Sequence, residues 1–137
     1  MDELVEFLRA RLTEDEQTAR AAIAELDGPS GADWQYDRQY VETVRERTMV
    51  AVGSQDFMEP GVGVHIARHD PARVLREIDA KRQIIEQHTV SETSEFEGKT
   101  DTITYCPICR NDGECPTLRL LALPYADHPD YRQEWRP

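Results

Sequence analysis

The chain has 137 residues, with 27 Asp and Glu against 16 Lys and Arg, a formal net charge of −11. That length suits one domain, 1–137, and with 39% apolar and 31% charged residues the core is modest and the surface well solvated. The acid surplus argues against nucleic-acid binding, which needs clustered Lys and Arg; no run approaches the ~18 apolar residues of a membrane span; and Met1-Asp2-Glu3 lacks the basic and apolar regions of a secretory leader, so a cytoplasmic protein is expected.

The amino-terminal element, 1–28, reads as one helix over 3–26. Leu4, Leu8, Leu12, Ala19, Ile23 and Leu26 recur at helical spacing and form one apolar stripe. Asp2 is placed to cap it, and Asp27-Gly28-Pro29 stops it, because glycine accepts a left-handed backbone and proline cannot continue a helix. Over 33–52 the period changes. Trp34, Tyr36, Arg38 and Tyr40, then the β-branched Val44, Thr48, Val50 and Val52, predict two antiparallel strands at about 33–39 and 42–52. Gly53 to Gly63, with Pro60 inside, is punctuation.

A helical region follows over 62–88. A short segment spans 62–69, and Asp70-Pro71 then opens a second long helix, with Asp as cap and proline at the first helical position. Val74, Leu75, Ile78 and Ile85 mark its apolar face, which is expected to pack against the first helix. Thr89 to Thr100 is polar and reads as a mobile loop. In the last region, 102–137, a short strand Thr102–Tyr105 leads into the cysteines. A helix from Pro116 carries Leu118, Leu120, Leu121 and Leu123 as buried candidates and ends at Pro124. The aromatic tail, Tyr125 to Trp135, is expected to lie across the domain. The fold class is therefore α+β: two long packed helices, a small antiparallel sheet and a carboxy-terminal zinc-knuckle segment with a short helix.

Cys106, Cys109 and Cys115 lie within ten residues. A disulfide framework suits neither a reducing compartment nor an odd count. Metal ligation accounts for all three, since thiolates two residues apart reach one ion from a tight turn, and Tyr105 and Gly113 suit that turn. Structural zinc needs a fourth ligand. His88, at the end of the second long helix, is the first candidate and His128 the alternative. Four protein ligands leave no open position, so the ion would be structural.

His65 and His69 would share a helix face, as in zinc proteases, but the interval Ile66-Ala67-Arg68 holds no Glu to act as general base. Asp127, His128 and Asp130 have no nucleophile tied to them, and Pro129 suggests a turn. Gly61-Val62-Gly63 is no phosphate loop. Arg73, Arg76, Lys81 and Arg82 read as a solvated helix face paired with Glu77, Asp79 and Glu86.

LVEFLRAR (Leu4 to Arg11), HIARHDPARVL (His65 to Leu75), AKRQII (Ala80 to Ile85) and the block from Cys115 to Trp135 together resemble a family of small uncharacterised proteins from Streptomyces, related actinobacteria and their phages. The resemblance implies an intracellular protein of phage or mobile-element origin and brings no activity with it.

The reading is a zinc-stabilised, non-enzymatic interaction module that binds an undefined protein partner, with the sequence silent on oligomeric state. One alternative is an acidic nucleic-acid mimic that inhibits a host enzyme, suggested by the charge. Another is a metal-dependent hydrolase using His65, His69 and Asp70, which fails if the Asp70 carboxylate is spent on backbone N–H groups.

Overall fold

A computed structural model describes residues 1–109 and 115–137. The fold class is α+β. Helices α1 (Asp2–Glu25), α2 (Pro60–Arg68), α3 (Pro71–Gln87) and α4 (Pro116–Ala122) accompany two antiparallel sheets. One has the order β1 (Trp34–Tyr36), β2 (Val41–Thr43), β3 (Met49–Ala51); the other pairs β4 (Val90–Phe96) with β5 (Lys99–Tyr105). The chain forms two compact units, Glu14–Ile78, and Met1–Thr13 with Asp79–Pro137.

In the first of these units, α1 ends where Asp27 and Gly28 both adopt left-handed backbone (φ 63° each), the reversal that the Asp-Gly-Pro sequence anticipates. Three strands replace the expected two. The second predicted strand breaks after Thr43, where Val44 to Glu46 turn and Arg47 takes φ 56°. Val41 pairs with Ala51 but Glu42 with Met49, a register shift that marks a bulge. Helix α2 begins at Pro60, two residues earlier than the spacing suggested, and lies against β1. Gly63 makes that approach possible: a Cβ there would sit 2.3 Å from the Tyr36 ring. Tyr36 Oη in turn donates to the Met58 carbonyl at 2.9 Å. Glu42 is 2% exposed, and its carboxylate accepts from Gln35 Nε2 at 2.8 Å and Arg47 Nη1 at 3.0 Å. Burying a charge is tolerable when it is paired in this way.

The other unit is built on the first half of α1. The Val5 N–H donates to the Met1 carbonyl, so Asp2 is the first residue of the helix rather than its cap. Leu4, Leu8 and Leu12 are each 1% exposed, as the stripe required. Phe7 is also buried, and Tyr125, His128, Tyr131 and Trp135 surround it with ring centroids 5.1–6.2 Å away. The aromatic tail thus lies along the start of α1. Arg132 reinforces it with a charge-assisted bond to Glu3 at 2.6 Å. Leu118 and Ala122 of α4 are buried, but Leu120 and, just past the helix, Leu123 are exposed, so one face rather than the whole leucine run enters the core. Pro124 sits in a short 3-10 turn that continues from α4.

The segment expected to be a mobile loop, Thr89 to Thr100, forms most of an antiparallel hairpin. Seven residue pairs run from Val90↔Tyr105 to Phe96↔Lys99. Glu97 (φ 49°) and Gly98 (φ 73°) turn it, the two consecutive positive φ values of a tight two-residue reversal. Thr102–Tyr105 is the last part of β5.

Candidate metal centre

The hairpin has a consequence for the cysteines. Helix α3 delivers His88 two residues before β4 starts, and β5 ends one residue before Cys106. Since Val90 and Tyr105 are paired, the strands bring His88 and Cys106 to the same end of the ribbon. Cys106-Pro107-Ile108-Cys109 then turns back, with the Cys109 N–H donating to Cys106 Sγ at 3.3 Å. Cys115 stands immediately before α4. The predicted turn residue Gly113 lies outside the described residues.

The three Sγ atoms and His88 Nδ1 lie within 4.8 Å of one another. His88 Nδ1 is 3.3 Å from Cys106 Sγ, 3.7 Å from Cys109 Sγ and 3.4 Å from Cys115 Sγ. Cys109 and Cys115 Sγ are 3.2 Å apart. Zn–S bonds of about 2.3 Å and Zn–N bonds of about 2.0 Å around a tetrahedron put sulfur and nitrogen about 3.6 Å apart and two sulfurs about 3.8 Å apart. The nitrogen–sulfur distances match that figure, and the Cys109–Cys115 sulfur pair is about half an ångström tighter. These four side chains can hold a metal ion, and their chemistry is consistent with zinc.

Cys106 and Cys115 are buried and Cys109 is half-buried. Burial opposes ionisation of Cys106, but the backbone N–H groups of Cys109 and Ile108 and the His88 imidazole outweigh it, bringing the thiol down to about 6. The hydrogen bond to the Cys115 thiol, with burial and the Cys106 sulfur adding to it, pushes Cys109 up to about 11. One sulfur is therefore ready as a thiolate at neutral pH, while its neighbour holds its proton unless a cation displaces it.

His128, the alternative fourth ligand, is elsewhere. It meets Arg11 Nη1 through both ring nitrogens, at 2.6 and 2.9 Å, and accepts the Asp130 N–H at 3.1 Å. Asp130 is also 3.7 Å from Arg11, so His128 and Asp130 fix the tail onto α1.

The His65 and His69 rings lie 4.4 Å apart between centroids, tilted by 39°, and His69 Nδ1 is 2.8 Å from the His65 carbonyl. Asp70 does not join them in a catalytic set. Its Oδ1 accepts the Arg73 N–H at 2.8 Å, capping α3, and its Oδ2 accepts the Trp34 N–H at 3.1 Å. The carboxylate required by the hydrolase reading is thus spent on two backbone donors, and that reading is withdrawn. Of the basic run, Arg73 is paired with Glu77 at 2.7 Å across one turn of α3, as a solvated helix face requires. Sequence reasoning missed Arg11: an arginine only 8% exposed beside the Phe7 ring has no motif to announce it.

The chain belongs to the family of unknown function DUF6221, which it matches over residues 1–137. No curated protein and no solved structure matches it. Family membership therefore adds no chemistry to the centre, and any function has to be argued from His88 and the three cysteines. Among the described residues no helix is long and apolar enough to cross a membrane.

Proposed function

We propose that this protein is a zinc-stapled, non-enzymatic module that binds another protein. The observation that carries the reading is the convergence of three Sγ atoms and one imidazole nitrogen within 4.8 Å, drawn from α3, the knuckle after β5 and the residue before α4. Soft thiolates with one imidazole favour zinc over magnesium or calcium, which prefer oxygen. Bound there, zinc would supply a cross-link between these three points of the chain. Four protein donors complete a tetrahedron and leave no position for a reacting water, which is the mark of a structural rather than a catalytic site. His88 and Cys106 would close the base of the hairpin, Cys115 would fix the start of α4, and the half-buried Cys109 would complete the shell. Three reduced thiols in one small chain suit a cytoplasmic protein.

The test is elemental analysis of protein purified without chelator, followed by cobalt substitution. About one zinc per chain is expected, with cobalt giving the thiolate charge-transfer absorption of a tetrahedral sulfur site. Less than about half an equivalent, or a cobalt spectrum free of thiolate bands, overturns the reading.

A further inference from the structure

A two-stranded ribbon alone is marginally stable in water, yet this one extends for seven residue pairs. Nearly every residue in it is exposed. The alternation of paired strands puts Val90, Glu92, Ser94 and Phe96 on one face with Lys99, Asp101, Ile103 and Tyr105. The other face carries serine, threonine and Glu95, with Ser91 bonded to Thr104 and Thr93 to Thr102. Near its base, Ser91, Thr102 and Thr104 border, with Val5 and Arg9 of α1, a cleft of about 300 Å³. The hydroxyl face therefore turns toward α1 and the apolar face away from it.

That outward face is unusual for so acidic a chain. Phe96 is 76% exposed and Ile103 60%. Carboxylates frame them: Glu92 and Asp101 lie on the same face and Glu97 in the turn, against the single cation Lys99. Among the described residues, no backbone hydrogen bond from elsewhere in the chain reaches the outer edge of either strand. The ribbon thus offers unpaired backbone donors and acceptors, two large apolar side chains and a negative frame. An open edge is a template for another strand. The charges discriminate between occupants, because a second copy would set like charges against each other, whereas lysine and arginine would find partners.

We propose that the β4–β5 ribbon is the docking surface, and that it takes a basic, extended segment of a partner protein as a third strand. Backbone hydrogen bonds would supply affinity, Phe96 and Ile103 would cover the partner's apolar side chains, and Glu92 and Asp101 would select its cations. The inference rests on reading the protein as an interaction module, and gives that module its surface.

The test uses the zinc-loaded full chain, labelled with ¹⁵N, and a synthetic peptide in which lysine alternates with valine. A matched peptide with glutamate in place of lysine is the control. The lysine peptide is expected to shift amides of 90–105 and to give cross-strand contacts to one ribbon edge. The glutamate peptide, and the Phe96→Ser/Ile103→Ser variant with the lysine peptide, are each expected to bind about tenfold or more weakly. Both side chains are exposed, so the variant keeps its fold, which the Val90–Tyr105 cross-strand contact verifies. Equal binding of both peptides, shifts outside the ribbon, or no binding overturns the proposal. So do concentration-dependent shifts without peptide, which would identify a second copy as the occupant. Zinc content is measured on the same samples. Loss of binding with zinc at full occupancy refutes the docking surface alone, and peptide binding by protein that carries less than about half an equivalent of zinc as purified refutes the metal centre alone.

Discussion

Cys115→Ser is expected to weaken zinc binding far more than Cys109→Ser, although each removes one sulfur from the same set. Zinc binding by four-ligand structural sites is worth about 10–16 kcal/mol at neutral pH, so one ligand accounts for about 3 kcal/mol, or about two orders of magnitude in affinity. Cys115 is 0% exposed. A serine oxygen there is a poor ligand for zinc, and no water can enter to replace it, so the full loss of about 3 kcal/mol applies. Cys109 is half-buried; a water can take the vacated position, and the loss falls to about half that, or about tenfold in affinity. Folding follows binding by mass action. At free zinc about a thousand times the dissociation constant the ion contributes about 4 kcal/mol, and a hundredfold weaker site retains only about 1.4 kcal/mol of it. Competition against a fluorescent chelator gives the affinities, and urea denaturation with and without zinc gives the stabilities. Cys115→Ser within threefold of the unsubstituted protein, or Cys109→Ser the weaker of the two, would refute the argument that burial of the ligand sets the cost.

Three further outcomes follow from other parts of the structure. Asp70→Ala removes the α3 cap and the acceptor for the Trp34 N–H; it should cost about 1–2 kcal/mol in urea denaturation, and a loss under a few tenths would mean the carboxylate does not cap. Gly63→Ala drives a methyl group into the Tyr36 ring and should cost about 1–3 kcal/mol, with near-ultraviolet circular dichroism reporting the displaced tyrosine. The backbone N–H groups of Tyr40 and Gln39 hold the Asp37 carboxyl below its ordinary 3.8. Because the folded value is the lower one, the stabilisation from this turn is complete above the ordinary value and is lost as pH falls through the folded one; an NMR titration placing the Asp37 midpoint at or above 3.8 would contradict it.

The parts of the fold that were legible in the sequence are those whose burial is one-sided. In α1, Leu4, Leu8 and Leu12 are buried while Glu3, Glu6, Arg9 and Ala10 are exposed, so helical spacing shows directly in the hydrophobic pattern. Helix α3 was legible for a second reason: Asp70 and Pro71 mark its start by hydrogen-bonding and backbone geometry that operate before any tertiary contact. The β1–β3 sheet was only half legible, because Val44 and Arg47 form a reversal without a glycine at the point where β-branched residues suggest a continuous strand.

The ribbon was lost for the opposite reason. A strand is recognised by apolar residues alternating with polar ones, and that alternation exists when one face packs on a core. In β4 and β5 one face is hydroxyls and both faces are exposed, so burial leaves no imprint, and the reversal uses Glu97-Gly98 instead of the Asn-Gly or Asp-Gly pair that signals a hairpin. The only local signal was the density of threonine. The same gap affected the reasoning about the metal ligands. Spacing alone joined Cys106 to Cys109, but the approach of His88 to Cys106, eighteen residues apart in the chain, is a consequence of pairing Val90 with Tyr105. The ribbon and the candidate centre are therefore expected to depend on one another: a metal bound at its base would clasp a weak two-stranded element, and the four candidate ligands come together only when that element forms. Chelation should accordingly speed amide exchange throughout 90–105 while leaving Val41 and Thr43 in β2 protected, and equal protection of the ribbon with and without metal would break the link between the two.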